Sequence, residues 1–306
     1  MEIRSARQLH RFSRRYWLRL VRLLIVMILV VGIVLPLLAG AIPTYAILHG
    51  ACGDNGERIS DFGHAWESVA IPAHVGGQFR AYFVPSTNGA TIIVPPAHRS
   101  GLNNRLAEAD VLIRHGYGVL GFESRVCAKI GSSSLGYKEV SEVGDALHYL
   151  QTRSDVDSQK IGILGFSSAG ATSIMAAARY PKIKAVVAEG GYADMGGLVD
   201  GNARLRYPDT LIRFSIRVSY RLFAGISIEK LSPVNVIKDI YPRPILLIYG
   251  TEEPSLPGAH KERKAAGDNA ELWVVEGAIH GGYMAVAAAE YEQRVIEFFN
   301  RALLQS

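Results

Sequence analysis

The chain has 306 residues, enough for one large domain or two ordinary ones, with 49% hydrophobic and 20% charged residues, so a sizeable core is available and global disorder is excluded. Two cysteines, neither in a C-x-x-C pair, exclude a disulfide scaffold and argue against a structural zinc site. The formal net charge of +5 is local: residues 1–22 hold seven arginines and one acid, Glu2, which leaves the remainder near neutral. That distribution argues against a nucleic-acid partner, which needs clustered charge on a folded domain.

Residues 1–22 read as a basic tail on the cytoplasmic side. From Leu23 to Ala41 every residue is apolar, and no Asp, Glu, Lys or Arg occurs between Arg22 and Asp54. As a helix this run covers about 28 Å, close to the hydrocarbon thickness of a bilayer. Residues 23–48 are therefore expected to form a transmembrane signal-anchor. Positive flanks resist translocation, so the body belongs on the outer side. A cleaved signal peptide, with secretion of the body, is the alternative: Pro36 followed by Ala39-Gly40-Ala41 resembles a cleavage region. Residues 49–65, rich in Gly and His, read as a stalk. On an oxidising outer side Cys52 and Cys127 can pair. Their separation in sequence gives no means of bringing them together, and two unpaired thiols are the favoured reading.

Beyond residue 66 strand and helix signals alternate. Strands are expected at Phe79–Val84, Thr91–Val94, Gly118–Phe122, Ile161–Leu164, Ala185–Ala188, Ile245–Tyr249 and Glu271–Val275, several as continuous aliphatic runs. Helical patterns lie at Leu102–His115, Glu139–Thr152, Ala169–Arg179 and Ala288–Leu304. Such alternation predicts an α/β fold with a mostly parallel sheet and helices on both faces. Residues 196–240 interrupt the rhythm and include the amphipathic segment Asp209 to Phe223, expected as a small helical lid. Its Arg213, Arg217 and Arg221 are spaced by four. They form either a solvated face or a surface for anionic lipid headgroups.

The segment Ile161-Gly-Ile-Leu-Gly-Phe-Ser-Ser-Ala-Gly170 runs from strand through a tight turn at Ser167 into a helix. Small residues are needed around such a turn, and Gly165, Ala169 and Gly170 supply them. A serine becomes nucleophilic at neutral pH only with a base and an orienting acid. Glu253 follows the apolar run at 245–249, and His280 lies in a Gly-flanked loop after the last strand. All three fall beyond the carboxyl ends of strands, where ligands bind in open α/β sheets. Glu252 and Asp194 are weaker candidates for the acid.

With Gly136-Tyr-Lys-Glu139, Gly165-Phe-Ser-Ser-Ala-Gly170, Gly250-Thr-Glu-Glu-Pro254 and Gly277-Ala-Ile-His-Gly281 in the expected order, residues 66–306 resemble an α/β-hydrolase-fold serine hydrolase. The group it is most similar to spans small esterases and prolyl-oligopeptidase-like peptidases. The resemblance implies Ser167 as nucleophile, Glu253 as acid, His280 as base, and the backbone N–H groups of Ala97 and Ser168 as the oxyanion hole. It implies no cofactor and no metal. The substrate is then a small molecule, an acyl lipid or a peptide. Cleavage of a carboxylic ester is expected first, with peptide or amide hydrolysis as the alternative. The sequence departs from the group with Glu at position 253 in place of Asp, and with Pro95-Pro96 where His-Gly is usual. Proline has no N–H to donate. That departure keeps a third reading open, a catalytically silent binding or scaffold protein. Glu123-Ser-Arg125 reads as a structural acid–arginine pair, and His98 as a surface histidine, with contact to substrate as the alternative because it lies in the loop that the resemblance makes the oxyanion loop.

Overall fold

The structure, a computed structural model, describes residues 3–53, 58–103, 105–201 and 208–305. In chain order the helices are α1 (Ile3–Leu29), α2 (Leu35–His49), α3 (Leu106–Arg114), α4 (Glu139–Thr152), α5 (Ser168–Arg179), α6 (Met195–Asp200), α7 (Asp209–Ala224), α8 (Pro233–Val236), α9 (Leu256–Ala266) and α10 (Tyr283–Phe299). The strands are β1 (Glu67–Pro72), β2 (Gln78–Val84), β3 (Thr91–Val94), β4 (Gly118–Phe122), β5 (Ile161–Phe166), β6 (Ile183–Glu189), β7 (Ile245–Gly250) and β8 (Ala270–Val275).

The chain divides into two compact units. The first comprises Met1–Ala46 and Val199–Ser227, the second Ile47–Leu198 and Ile228–Ser306. In the first, α1 and α2 join through a π-helical turn at Val30–Val34. The stretch Arg14–His49 is long and apolar enough to cross a membrane. Helix α7 packs along α2, where the Ser215 hydroxyl donates to the Leu37 carbonyl at 2.5 Å.

The second unit is built on one eight-stranded sheet of order β1-β2-β4-β3-β5-β6-β7-β8. β1, β2 and β4 pair antiparallel, and all pairs from β4 to β8 are parallel. This is the mostly parallel sheet expected from the aliphatic runs, in keeping with the fold that the resemblance implies. Because side chains alternate along a strand, Ile92, Val94, Leu164, Val187 and Ile248 form one core with Leu106 and Leu112 of α3 and Val295 and Phe299 of α10. The intervening Ile93, Ile163, Val186 and Leu247 are equally buried. Both faces are thus covered, which is why these strands carry no polar alternation.

Three elements differ from expectation. β1 is an added edge strand whose only buried residue is Ile71, so its sequence shows no apolar run. α9 begins Leu-Pro-Gly and is largely polar, which hides it from a periodicity reading. α10 starts at Tyr283 rather than Ala288, because a non-helical Ala287 (φ −139°, ψ 51°) separates its first turn from the amphipathic remainder.

The favoured reading of the cysteines is corrected. Cys52 and Cys127 form a disulfide, with Cα atoms 4.9 Å apart across 75 positions of sequence. The surrounding chain is held as well: Gly53 N–H donates to Arg99 O at 2.8 Å, Gly101 N–H to Gly53 O at 2.6 Å, and Ser133 N–H to Leu48 O at 3.0 Å. These backbone bonds bring the two thiols together, and none is visible in sequence spacing. Glu123 and Arg125 are also not each other's partners. Glu123 pairs with Arg80, and Arg125 with Glu142 at 2.9 Å.

Candidate active site

Ser167 sits between β5 and α5 at φ 58°, ψ −125°, a backbone state that L-residues enter only when surroundings enforce it. Its N–H donates to Glu189 O at 2.7 Å, at the end of neighbouring β6. The small residues of the turn have a steric cause. A Cβ at Gly165 would lie 2.3 Å from Ala169 O, and one at Gly170 would lie 2.9 Å from Glu189 O.

The Ser167 hydroxyl faces His280, with Oγ 3.1 Å from Nε2. On the other side of the ring Nδ1 is 3.2 Å from Oε2 of Glu253. Both spacings fit the tautomer in which Nδ1–H donates to the carboxylate and Nε2 accepts from the hydroxyl. Neither Glu252, which is exposed, nor Asp194 is bonded to His280. The longer glutamate reaches the ring because Glu253 folds back on its own turn: Gly250 N–H donates to Oε1 at 3.0 Å and the Ser255 hydroxyl to Oε2 at 2.9 Å.

Tyr283 completes this shell, its hydroxyl donating to Oε1 of Glu253. Burial acts to raise the Glu253 pKa, yet the bonds from His280, Tyr283, Gly250 and Ser255 outweigh it and hold the carboxyl below its usual range. The Tyr283 hydroxyl is pushed far up, first by burial and then by the adjacent carboxylate, so it remains a donor. Sequence reading missed Tyr283. The signal was available in its place three residues after His280, one helical turn from the loop.

His280 is held from a third side. The Phe166 ring lies 4.6 Å from the imidazole, and the Arg105 guanidinium lies 4.1 Å over Phe166. Arg105 in turn reaches Oε2 of the fully buried Glu189 at 3.1 Å and also pairs with Glu108. Gly190, at φ 56°, passes so near that a Cβ there would lie 2.9 Å from His280 Nδ1 and 2.5 Å from the Tyr283 oxygen.

The backbone N–H groups of Ala97 and Ser168 donate to no protein acceptor among the described residues. Pro95 and Pro96 are buried directly after β3, and the following His98 N–H donates to the Ser168 hydroxyl at 3.0 Å. His98 is not the surface histidine expected. It lines both clefts that meet at Ser167, and burial, followed by neighbouring Arg99, lowers its pKa. One cleft, of about 530 Å³, is of mixed character and bounded by Ala51, Gly53, His98, Arg99, Ser100 and Asn103. The other, of about 360 Å³, is mainly apolar, with Ile47, Leu135, Tyr192, Met195, Leu198 and Pro254 in its wall. Leu135 is placed by Glu139, which accepts from the Ser133 hydroxyl at 3.0 Å, Ser134 N–H at 2.8 Å and Gly136 N–H at 3.0 Å. No group of His, Cys, Asp and Glu able to hold a metal ion occurs among the described residues.

Residues 121–306 match the sequence model of the prolyl oligopeptidase family. The uncharacterized protein YfhR of Escherichia coli is 24% identical over 203 residues, and the match covers 64% of this chain and 66% of that protein. Among solved structures, the esterase Pf2001 of Pyrococcus furiosus superposes with a TM-score of 0.65 at 21% identity, covering 82% of this chain and 98% of the esterase. A puromycin-hydrolyzing peptidase of Mycobacterium tuberculosis superposes with a TM-score of 0.63 at 18% identity, covering 79% of this chain and 40% of the peptidase. At these identities the superpositions establish a shared fold.

Proposed function

Since the chain belongs to the prolyl oligopeptidase family, and is thus a serine hydrolase of α/β-hydrolase fold, we propose that it is a membrane-anchored enzyme cleaving a carboxylic ester through a Ser167–His280–Glu253 triad. The observation that carries the reading is the unbroken relay from the Ser167 oxygen through both imidazole nitrogens to a buried carboxylate.

In this mechanism His280 Nε2 takes the Ser167 proton as Oγ attacks the carbonyl carbon. Charge develops on the carbonyl oxygen, where the N–H groups of Ala97 and Ser168 receive it. His280 then hands its proton to the leaving oxygen as the C–O bond breaks, which leaves an acyl-enzyme. Water attacks the acyl carbon, giving its proton to His280, and the acid departs as the proton returns to Ser167. Glu253 stays ionised throughout and holds the ring in its tautomer.

The mainly apolar cleft supports an ester with an apolar portion, whereas the family supports peptide or amide hydrolysis as the second reading. The apolar helix supports the anchor, and the arginine-rich flank supports a cytoplasmic N-terminus. The Cys52–Cys127 bridge supports a body on the oxidising side.

The test is labelling of the full-length protein by a fluorophosphonate probe beside Ser167→Ala, with release assays on an aryl ester and on a peptide amide. We expect labelling only in the wild type and a loss of turnover of about 10⁴–10⁶-fold in the variant. Labelling that persists in Ser167→Ala removes this serine from the mechanism. A folded wild type that never labels favours the scaffold reading.

A further inference from the structure

Helix α7 carries apolar surface that neither a solvated lid nor a packed core helix explains. Phe214, Val218 and Leu222 are spaced by four, form one stripe, and are 58%, 39% and 72% exposed. Arg213, Arg217 and Arg221 form the adjacent stripe. Arg217 pairs with Asp200 at 2.7 Å, while Arg213 and Arg221 meet no carboxylate among the described residues.

The side of α7 beyond the apolar stripe is occupied by α2. A Cβ at Gly40 would lie 2.5 Å from Ile212 O and 2.7 Å from Ser215 Cβ, so the two backbones run as close as a missing side chain permits. Besides the Ser215 bond to Leu37 O, Tyr45 and Phe223 pack edge-to-face at 5.2 Å. Position 37 meets 215 and position 45 meets 223, so α7 follows α2 in the same direction for about 12 Å of helix. Leu37 and Gly40 belong to the uninterrupted apolar run, and Leu38, Ile42 and Tyr45 of α2 are themselves exposed.

We propose that α7 is a second lipid-embedded element, seated against α2 in the outer leaflet, with Phe214, Val218 and Leu222 among acyl chains and Arg221, level with the outer end of the apolar run, at anionic headgroups. Two observations select a bilayer as the occupant. The apolar stripe continues the exposed apolar surface of a helix long enough to span one, and at its outer end it is bordered by Arg221, which meets no carboxylate among the described residues. An arginine at the outer end of such a stripe reaches the headgroups along its aliphatic stem.

The inference rests on the membrane reading of α1 and α2 and is independent of the catalytic one. The test uses full-length protein in nanodiscs containing phosphatidylglycerol. An environment-sensitive fluorophore is placed, in separate variants, at Phe214→Cys, Leu222→Cys, Ile28→Cys in the apolar run, and Lys264→Cys on α9. Both native cysteines are in the disulfide, so only the introduced thiol reacts. The expected result is blue-shifted emission at 214 and 222, quenched by nitroxide lipids as at 28 and shielded from aqueous iodide, with 264 showing the reverse. Iodide quenching at 214 and 222 equal to that at 264, with 28 still quenched by lipid, overturns the proposal alone. Shielding at 214 and 222 from both quenchers also overturns it, because the stripe is then covered by protein, such as a second copy of the chain. Loss of lipid quenching at 28 overturns the anchor. Arg221→Gln is expected to remove any preference of α7 for anionic over neutral lipid, and an unchanged preference sinks the headgroup assignment.

Discussion

The hydroxyl of Tyr283 donates to Oε1 of Glu253, which leaves Oε2 to face the imidazole of His280. The carboxylate is thereby fixed by one oxygen and used by the other. Tyr283→Phe keeps the ring and removes the donor. A fall in kcat of about tenfold is expected, the worth of one hydrogen bond to a charged group. The same change weakens the hold on the ionised form of Glu253. A carboxyl whose folded pKa is depressed contributes stability that is lost as pH falls through that value, so acid unfolding of the variant should begin at higher pH. Stopped-assay kinetics and acid titration of the circular dichroism signal check both. A variant with wild-type kcat and an unmoved acid transition contradicts the assignment.

Gly190 offers a test of the same site from its backbone. Its φ of 56° lies in the left-handed region that side chains rarely adopt, and the space around it is closed as well. Gly190→Ala puts a methyl group against His280 Nδ1 and the Tyr283 oxygen. Displacement of the imidazole by a fraction of an ångström should reduce kcat by about 10²-fold with little change in KM. A loss confined to KM points to an effect on the cleft wall instead.

Replacing both cysteines tests the wall of the larger of the two clefts. Cys52→Ser with Cys127→Ser opens a loop of 75 positions, and a cost of about 2–5 kcal/mol in unfolding free energy is expected. Ala51 and Gly53 line the cleft beside the bridge, so KM should rise more than kcat falls. Denaturant unfolding with and without reductant, together with steady-state kinetics, reads both effects. Stability indifferent to reductant in the wild type refutes the prediction.

A pH effect of opposite sign is expected from Glu262. The side chain is buried, its Oε2 receives the Tyr249 hydroxyl at 3.1 Å, and its Oε1 has no partner among the described residues. Burial pushes its pKa from 4.5 up to about 7. The folded protein therefore keeps a proton that the unfolded chain releases. The contribution to stability is intact below 4.5 and is lost as pH rises through about 7. Glu262→Gln removes this titration, so its urea midpoint should fall less than that of the wild type across the interval. Equal slopes rule it out.

Much of the site could be read from sequence because it lies where chain order and chemistry coincide. β5 and β7 are bare aliphatic runs, and the residues beyond their ends are those from which the candidate site is built: Ser167 after β5 and Glu253 after β7. Gly165 and Gly170 were legible for the same reason, since a turn this tight admits no side chain at either position. The support around the triad was not legible. Phe166 reads as one more apolar residue, and its stacking on His280 exists only once β5 and the loop after β8 are adjacent. Arg105 reads as surface charge until β6 brings Glu189 beneath it. The Cys52–Cys127 pair was misjudged on similar grounds, because contact across the fold leaves no trace in spacing.

The bridge also reroutes mechanical load. A pull on the N-terminus passes along covalent bonds from position 52 through the sulfur atoms to position 127, bypassing the backbone between them. That sheltered length holds β1 to β4 together with Ala97 and Arg105. Drag exerted through the leading helix thus reaches that length across contacts such as the hydrogen bonds that join β3 to β5, not along its own backbone.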